Sequence, residues 1–445
     1  MRFATGSLMA LLVACSGSPK AGPQTGGSEA GTSAVAGPSG GGGTGGGTSA
    51  SGGTSGTQGG SANSGGASSA GTNASGGSSA GNTSVAGATS KCGGASTTPD
   101  PNPGILPDLE PGVWTQLIDV ATGHFAIDPT NPSTIYISHQ NNGIWKTTDG
   151  GSTWDELGAG PDPDPWNDNV TPWMDDSGGI AVDPSNPQRL YNVNGVDATS
   201  TGFWISDDAG ETWTRPETFP PEGTTSDVNN MAVDPCDFNH ILTSSHSDWA
   251  STSEYVGGIM ESRDGGATWA AKIPEGDPWD VGTKGVFFLR NQATGEGDGD
   301  TWLVTDNGFW RTSDAGETWD KVSDAGSPHG TNDFFYASNG DLYAGAWQYL
   351  QKSTDNGLTW VALSNLPYSV YYSVAGDGDN LYAMADTSSE GYYTSPETDG
   401  LNWSLYESTS NPTRGPIKMH FEPVNRIMYS SNWDGGFWAM KVLDP

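Results

Sequence analysis

The chain has 445 residues, and much of its glycine content of 66 residues lies in one N-terminal tract. It carries 52 acidic and 17 basic residues, a formal net charge of −35. A surface this acidic repels phosphate backbones, so we expect no nucleic acid partner. No apolar run approaches the roughly 18 residues of a membrane-spanning helix, and the 3 cysteines are too few for a disulfide-stapled miniprotein.

The first residues have the features of a secretion signal. Arg2 is a short basic region, an apolar core runs over 8–14, and the segment ends Leu-Val-Ala before Cys15. This ending resembles a bacterial lipobox, in which cleavage precedes a cysteine that then carries lipid. We therefore expect a signal peptide over 1–14, lipidation of Cys15, and a place at the outer membrane or cell surface. An ordinary secretion signal with a coincidental cysteine is the alternative.

Residues 16–96 are almost entirely Gly, Ser, Ala and Thr, and the proline-rich stretch TTPDPNPGILPD follows at 97–108. Such a composition cannot bury a core, and a coil of this length spans roughly 50 Å. We expect a tether over 15–108 and a monomeric globular domain over 109–445, with the lipid as the only membrane contact.

A repeated motif dominates the rest of the chain. Five segments share Ser/Thr-x-Asp-x-Gly-x-Thr-Trp and close at Trp154, Trp213, Trp269, Trp319 and Trp360, and a degenerate sixth closes at Trp403. The motif resembles the Asp-box, or bacterial neuraminidase, repeat. Each copy lies between two short apolar strands, which predicts a hairpin turn with glycine at positive φ and aspartate capping the turn amides. We expect structural roles for its acids, Asp149, Asp208, Asp264, Asp314 and Asp355.

A second pattern precedes the motif in several repeats, as in FAIDPTNPSTIYI and IAVDPSNPQRLYN, and predicts a further strand–turn–strand. Four strands per repeat make a propeller blade. The third-strand position recurs at Trp145, Trp204, Met260, Trp310, Gln351, Tyr393 and Trp438. The last blade reaches the end of the sequence before its fourth strand, but GVWTQLID at 112–119 resembles one. The prediction is an all-β fold: one seven-bladed β-propeller whose N-terminal strand, led by Trp114, completes the last blade.

Strand alternation puts the Asp-box turns on one face of the propeller. We call the opposite face, where the innermost strands begin, the mouth. Aligning the innermost strands places one residue per blade at the mouth: His124, Gly179, Asn230, Val286, Asp333, Ser373 and Lys418. Two positions deeper, the ring is apolar except for His420. We select His124, Asn230 and Lys418 as binding candidates, although polar groups in a channel can also simply hydrogen-bond to one another and to water.

Aromatic residues are frequent in the mouth-side loops. The binding candidates among them are Trp173, Trp249, Trp347 and Trp433. Exposed tryptophan is uncommon without a partner, and aromatic faces beside amides and carboxylates suit sugar rings. Individual tryptophans could instead pack over the ends of blades.

The blades resemble three groups: sialidases, xyloglucanase-type glycoside hydrolases, and non-catalytic propellers such as sortilin-type domains and photosystem II assembly factors. The sialidase resemblance implies three arginines around a carboxylate. This sequence has no arginine between Arg2 and Arg189, and only Arg414 and Arg290 are further mouth-side candidates. The xyloglucanase type fits the blades better, although those enzymes pair two propellers around a cleft.

A glycoside hydrolase needs one carboxyl as acid and another as base or nucleophile. If the chain is such an enzyme, the best pair by position is Asp333 in the mouth ring with Asp175 or Asp176 in the long mouth-side loop, and Asp306 and Asp434 are alternates. The two competing functions are a surface-tethered binder or hydrolase of neutral glycan, and a non-catalytic propeller that contacts an envelope protein.

Cofactor signals are weak. No zinc motif occurs, and the acidic stretches 162–169, 295–300 and 377–380 could hold Ca²⁺ but are more typical of solvated loops. Once Cys15 is lipidated, Cys92 and Cys236 remain, and the oxidising envelope would allow them to pair.

Overall fold

The computed structural model describes residues 104, 106–139, 143–157, 177–194, 201–220, 228–245, 258–272, 285–290, 297–326, 334–368, 370–386 and 390–443. The expected signal peptide and Cys15 lie outside these residues. Within them, no helix is long and apolar enough to cross a membrane. The described residues form 27 β-strands arranged in seven antiparallel sheets.

Each sheet is one blade, and its strands follow one another from the innermost to the outermost. Strand β1 is Thr115–Ile118. Blade one contains β2 (Thr122–Ile127), β3 (Ile135–His139), β4 (Gly143–Thr147) and β5 (Asp155–Glu156). Blade two contains β6 (Ser177–Val182), β7 (Leu190–Asn194) and β8 (Gly202–Ser206). Blade three contains β9 (Val228–Asp234), β10 (Asp237–Ser245), β11 (Ile259–Ser262) and β12 (Ala270–Lys272).

The remaining blades repeat this order. Blade four contains β13 (Gly285–Arg290), β14 (Gly297–Asp306), β15 (Gly308–Thr312) and β16 (Asp320–Ser323). Blade five contains β17 (Phe334–Tyr336), β18 (Leu342–Ala344), β19 (Gln351–Ser353) and β20 (Val361–Ala362). Blade six contains β21 (Val374–Gly376), β22 (Asn380–Ala383), β23 (Tyr393–Pro396) and β24 (Ser404–Leu405). Blade seven contains β25 (Lys418–Glu422), β26 (Ile427–Ser431) and β27 (Phe437–Lys441).

Strand β1 completes blade seven. It pairs antiparallel with β27, with Thr115 opposite Ala439 and Gln116 opposite Trp438. Trp114, just before β1, is fully buried and stacks on Tyr392 of the preceding blade with ring centroids 4.3 Å apart. The structure therefore confirms the predicted all-β, seven-bladed propeller and its closure by an N-terminal strand, which leaves no unpaired edge at this junction.

Blade two differs from the prediction of four full strands. Its outer strand is reduced to a single bridge in which Thr214 and Ile205 exchange backbone hydrogen bonds of 2.8 and 2.9 Å. Pro216 follows two residues later and has no backbone N–H to donate, so the ladder cannot continue through it.

The Asp-box turn has one hydrogen-bond pattern, shown here for Asp314. Its Oδ1 accepts hydrogen bonds from the backbone N of Thr318 at 2.9 Å and from the Thr312 hydroxyl at 2.7 Å, and its Oδ2 accepts one from the Thr318 hydroxyl at 2.6 Å. The hydrogen bonds from Thr318, followed by the one from Thr312, lower the pKa of Asp314 below its ordinary value. The same three bonds recur at Asp149, Asp208, Asp264 and Asp355. These acids are fully engaged in their own turns.

The tryptophan that closes each box joins its blade to the one before. The Trp269 indole N–H donates to the Gly266 carbonyl oxygen at 2.9 Å, and the ring meets Phe203 of blade two edge-on, with centroids 4.8 Å apart. Trp154 contacts Phe437 and Trp360 contacts Phe309 in the same way across their blade boundaries. The Asp-box is therefore an interblade joint as well as a turn.

Cys236, in the turn between β9 and β10, is disulfide-bonded. Its expected partner, Cys92, lies outside the described residues, so that pairing remains a prediction.

Gly266 tests the interblade joint. It has φ +88°, and a Cβ there would lie 2.5 Å from Cε1 of Phe203. Gly340 has a matching φ of +89° in a turn, but a Cβ there meets nothing within 4 Å. We expect Gly266→Ala to destabilise the fold by about 2 kcal/mol more than Gly340→Ala, because only the first adds overpacking to the backbone strain. Thermal or urea unfolding measures the difference, and equal losses would show that the box glycine is needed for φ alone.

Candidate functional site

The innermost strands surround a central channel. They line a cavity of about 340 Å³ whose walls include the mouth positions His124, Gly179, Asn230, Val286 and Lys418. Each of these residues lies near the start of an innermost strand, in the position that the strand alignment predicted. The structure thus brings three of the predicted binding residues, His124, Asn230 and Lys418, to one cavity. Their role in binding remains a prediction.

These mouth residues belong to the channel wall. The side chains of His124 and Asn230 are only 7% and 8% exposed. The His124 backbone N donates to the Ser138 hydroxyl at 2.8 Å, which fixes the start of β2 against β3. The Lys418 ammonium lies 5.7 Å from the centre of the Phe125 ring, a cation–π contact with the neighbouring blade. A ligand would therefore reach these groups through the channel lumen.

Arg290 corrects the sequence interpretation, which counted it as a mouth-side candidate. It is the last residue of β13, and the innermost strands run from the mouth towards the Asp-box face. Its guanidinium lies 4.6 Å from the centre of the Tyr336 ring, and burial lowers its pKa. The strand direction alone could have placed it, since it lies four residues beyond the mouth position Val286.

The rim of the mouth carries exposed aromatic side chains on blades five and six. Trp347, in the β18–β19 loop, is 48% exposed, and Tyr368, between β20 and β21, is 42% exposed. Three mouth-side aromatics have left-handed backbones: Tyr349 at φ +64°, Tyr368 at +68° and Trp433 at +39°. Such a φ is strained for bulky residues and persists only where the surroundings impose it. The backbone of the rim is therefore constrained by its surroundings at these three positions.

The rim tyrosines form one cluster. Burial, followed by the nearby hydroxyls of Tyr393, Tyr368 and Tyr349, raises the pKa of Tyr371. The Tyr393 hydroxyl donates to the Glu390 carboxylate at 2.8 Å, and burial together with this bond raises the pKa of Tyr393 to about 12. Tyr371 and Tyr393 therefore stay protonated at neutral pH. The Tyr371 hydroxyl donates to the Pro367 carbonyl oxygen and the Tyr393 hydroxyl to Glu390, so the rim offers aromatic faces beside hydroxyl and carboxylate oxygens. The sequence did not reveal this cluster, because its members come from two loops and the start of β23.

Arg414 joins the mouth-side loops of blades six and seven. Its Nε donates to Asp386 at 2.7 Å, and its NH1 donates to Asp434 at 3.2 Å. Asp434, an alternate candidate acid, is therefore engaged in an ion pair. Trp433 beside it is half-buried, and its carbonyl accepts a 2.8 Å hydrogen bond from the Thr122 backbone N, which ties blade seven to blade one.

The remaining predicted site residues lie outside the described part of the chain: Asp175, Asp176, Asp333, Trp173 and Trp249. So does the acidic stretch 162–169. In the described parts of the other two acidic stretches, turn amides bind one carboxylate each: Asp298 accepts from the backbone N atoms of Asp300 and Thr301, and Asp377 accepts from those of Asp379 and Asn380. Among the described residues, no group of three or more His, Cys, Asp or Glu could hold a metal ion.

Comparisons with known proteins agree with this architecture. The BNR/Asp-box repeat family matches residues 204–215. A xyloglucanase from Paenibacillus sp. is 26% identical over 281 residues, which are 54% of this chain and 26% of that protein. The chain thus spans about a quarter of that relative's length.

Solved structures show the same fold. A GH74 xyloglucanase from Xanthomonas campestris matches with a TM-score of 0.53 and 20% identity over 74% of this chain and 54% of that one. A structure titled YCF48 bound to D1 peptide matches with a TM-score of 0.50 and 14% identity over 76% of this chain and 98% of that one. The chain is an Asp-box β-propeller that resembles xyloglucanases.

Proposed function

We propose that this protein binds a neutral polysaccharide across the aromatic rim of its mouth. The observation that carries the proposal is the pair of exposed rings, Trp347 and Tyr368, held on neighbouring blades beside a cluster of tyrosine hydroxyls. Aromatic rings supply apolar contact area at little cost in conformational entropy, and hydroxyls and carboxylates next to them give polar partners for sugar hydroxyls. The net charge of −35 disfavours acidic glycans.

Hydrolysis is the further step of the proposal. Its support is the resemblance to xyloglucanases. The carboxyls assigned to it are Asp333, which directly precedes β17 in the sequence, with Asp175 or Asp176 as its partner. One would protonate the leaving oxygen, and the other would act as base or nucleophile.

The proposed location is the outer membrane or cell surface. Cys15 would carry the lipid, and the tether over 15–108 would let the propeller reach polymer away from the bilayer. The protein would act there as a monomer.

Removing either exposed ring should weaken glycan binding. We expect Trp347→Ala and Tyr368→Ala each to lower the affinity for soluble xyloglucan about tenfold, which corresponds to roughly 1.4 kcal/mol of lost ring contact. Isothermal titration calorimetry or affinity electrophoresis measures this. The matched control is Leu358→Ala, which removes an exposed apolar side chain from the Asp-box turn of the same blade, on the opposite face.

Two results would contradict this site. One is the absence of binding to any neutral polysaccharide in a glycan panel, which would favour the non-catalytic protein-binding function. The other is a loss of glycan binding in Leu358→Ala while Trp347→Ala binds as tightly as the unmodified protein. Asp333→Asn separates the two activities: it should abolish release of reducing sugar while rim binding and thermal stability stay unchanged.

The lipid anchor is tested independently. Mass spectrometry of the mature protein should find its N-terminus at Cys15, with a diacylglycerol thioether on the thiol. An unmodified Cys15, or cleavage at another position, would refute the anchor and leave the glycan site unaffected.

A further inference from the structure

A buried histidine lies at the junction between blades three and four. His240 belongs to β10, and its side chain is only 3% exposed. Its ring meets Phe288 of β13 and Trp302 of β14 edge-on, with ring centroids 4.7 and 6.3 Å apart. The histidine of blade three therefore packs directly against the core of blade four.

Both ring nitrogens of His240 face carboxylate oxygens. Nδ1 lies 3.3 Å from Oδ2 of Asp234, the last residue of β9. Nε2 lies 2.9 Å from Oε1 of Glu261 on β11. The side chains of the two acids are 7% and 8% exposed, so water has little access to either contact.

This geometry requires a proton. An ionised carboxylate only accepts hydrogen bonds, and a neutral imidazole has a single N–H to donate. A neutral His240 could therefore donate to Asp234 or to Glu261, and its other nitrogen would direct a lone pair at the remaining carboxylate. A protonated ring donates to both. The cost of an unmade hydrogen bond is highest where the groups are buried, as they are here.

Glu261 connects the histidine to two ion pairs that reach blade four. The Arg263 Nε donates to Oε1 of Glu261 at 2.7 Å, and its Nη2 donates to Asp300 of blade four, also at 2.7 Å. The Lys272 ammonium lies 3.7 Å from Oε2 of Glu261 and 3.0 Å from Oε1 of Glu317 in blade four. The histidine and the two ion pairs thus form one charged network across the blade boundary.

These contacts shift the pKa values in opposite directions. Burial alone would lower the pKa of His240, but the hydrogen bonds to Asp234 and Glu261 outweigh it and raise the pKa above its ordinary value of 6.5. Burial alone would raise the pKa of Glu261, but the hydrogen bond from His240 and two neighbouring cations hold it below its ordinary value of 4.5. The stabilisation by charged His240 is therefore complete below pH 6.5 and is lost as the pH rises through the raised pKa. The stabilisation by charged Glu261 is lost only as the pH falls through the lowered pKa.

We propose that the junction between blades three and four is a pH-sensitive joint, in which a proton on His240 holds two carboxylates together and its loss at alkaline pH loosens the contact between the blades. The charged groups that face this joint are Asp234 of β9, Glu261 of β11, Arg263 in the Asp-box turn of blade three, Lys272 of β12, Asp300 of β14 and Glu317 in the Asp-box turn of blade four. With the histidine protonated, these four acids face three cations, and without the proton they face two. The joint does not depend on the proposed glycan binding.

Thermal unfolding of the full chain from about pH 6 to about pH 9, at constant ionic strength, tests the joint. The unmodified protein should be more stable than His240→Gln at the lower pH, because glutamine cannot carry the charge. The difference between their midpoint temperatures should shrink by roughly 2 °C or more as the pH rises. Asp234→Asn serves if His240→Gln fails to fold: it leaves the histidine with one carboxylate, and its difference from the unmodified protein should also shrink.

The matched control is His420→Gln. His420 faces the channel, where the surrounding protein and the charge of Lys418 lower its pKa to about 4, so it stays neutral over this pH range. Its midpoint difference from the unmodified protein should not change with pH. A pH-independent difference for His240→Gln, or an equal pH dependence for His420→Gln, would overturn the proposal.

Hydrogen exchange locates the effect within the fold. Protection factors, which correct for the intrinsic pH dependence of exchange, should fall at alkaline pH in β10, β11 and β13 before they fall in β22 and β23 of blade six. This early loss should be absent from His240→Gln. A loss of protection that is the same in all blades would contradict a local joint.

Discussion

The propeller depends on the contact between the tryptophan of one Asp-box and the aromatic side chains of the preceding blade. A blade is a small twisted sheet that cannot bury both faces alone, so each needs its neighbours. The box links the turn to the blade packing. Its aspartate and hydroxyl side chains stabilise a turn, and the turn positions the indole ring against the adjacent blade. In blade seven, Trp114 takes the position of the box tryptophan, although it comes from the N-terminal strand. Its ring stacks on Tyr392 of blade six. Ring closure therefore also packs a tryptophan against an aromatic ring of the preceding blade, here stacked instead of edge-on.

This arrangement separates the two faces by role. On the Asp-box face, the carboxylates are saturated by their own turns, so their regular recurrence reflects folding. The loops of the mouth face do not share a repeated turn. The aromatic residues with positive φ and those with exposed side chains lie in these loops. Strain in bulky residues persists only where surrounding structure supports it. The regular turns of the Asp-box face hold the blades together. The loops of the mouth face can therefore vary and carry binding groups.

The sequence predicted the features that repeat. The third-strand positions, the box turns, the closing strand and the mouth positions of His124, Asn230 and Lys418 all follow from the recurring motifs. The prediction from sequence was wrong where a single blade departs from the repeated pattern. Pro216 shortened blade two, and Arg290 was assigned to the wrong end of the channel although strand direction determines its place.

The rim cluster shows a different limit of sequence analysis. Tyr349 and Tyr368 lie in two different loops and Tyr393 begins β23, and only the folded ring brings them together around Tyr371. The spacing of these tyrosines along the chain does not predict the cluster, because the packing of the blades decides which residues become neighbours.

A crystal structure of the full chain with a bound xyloglucan oligosaccharide would test the central claim most directly. The account predicts sugar rings stacked on Trp347 and Tyr368 at the mouth, with hydroxyls near the tyrosine cluster and the Asp-box turns unoccupied. Sugar density on the Asp-box face, with the mouth rim empty, would contradict it.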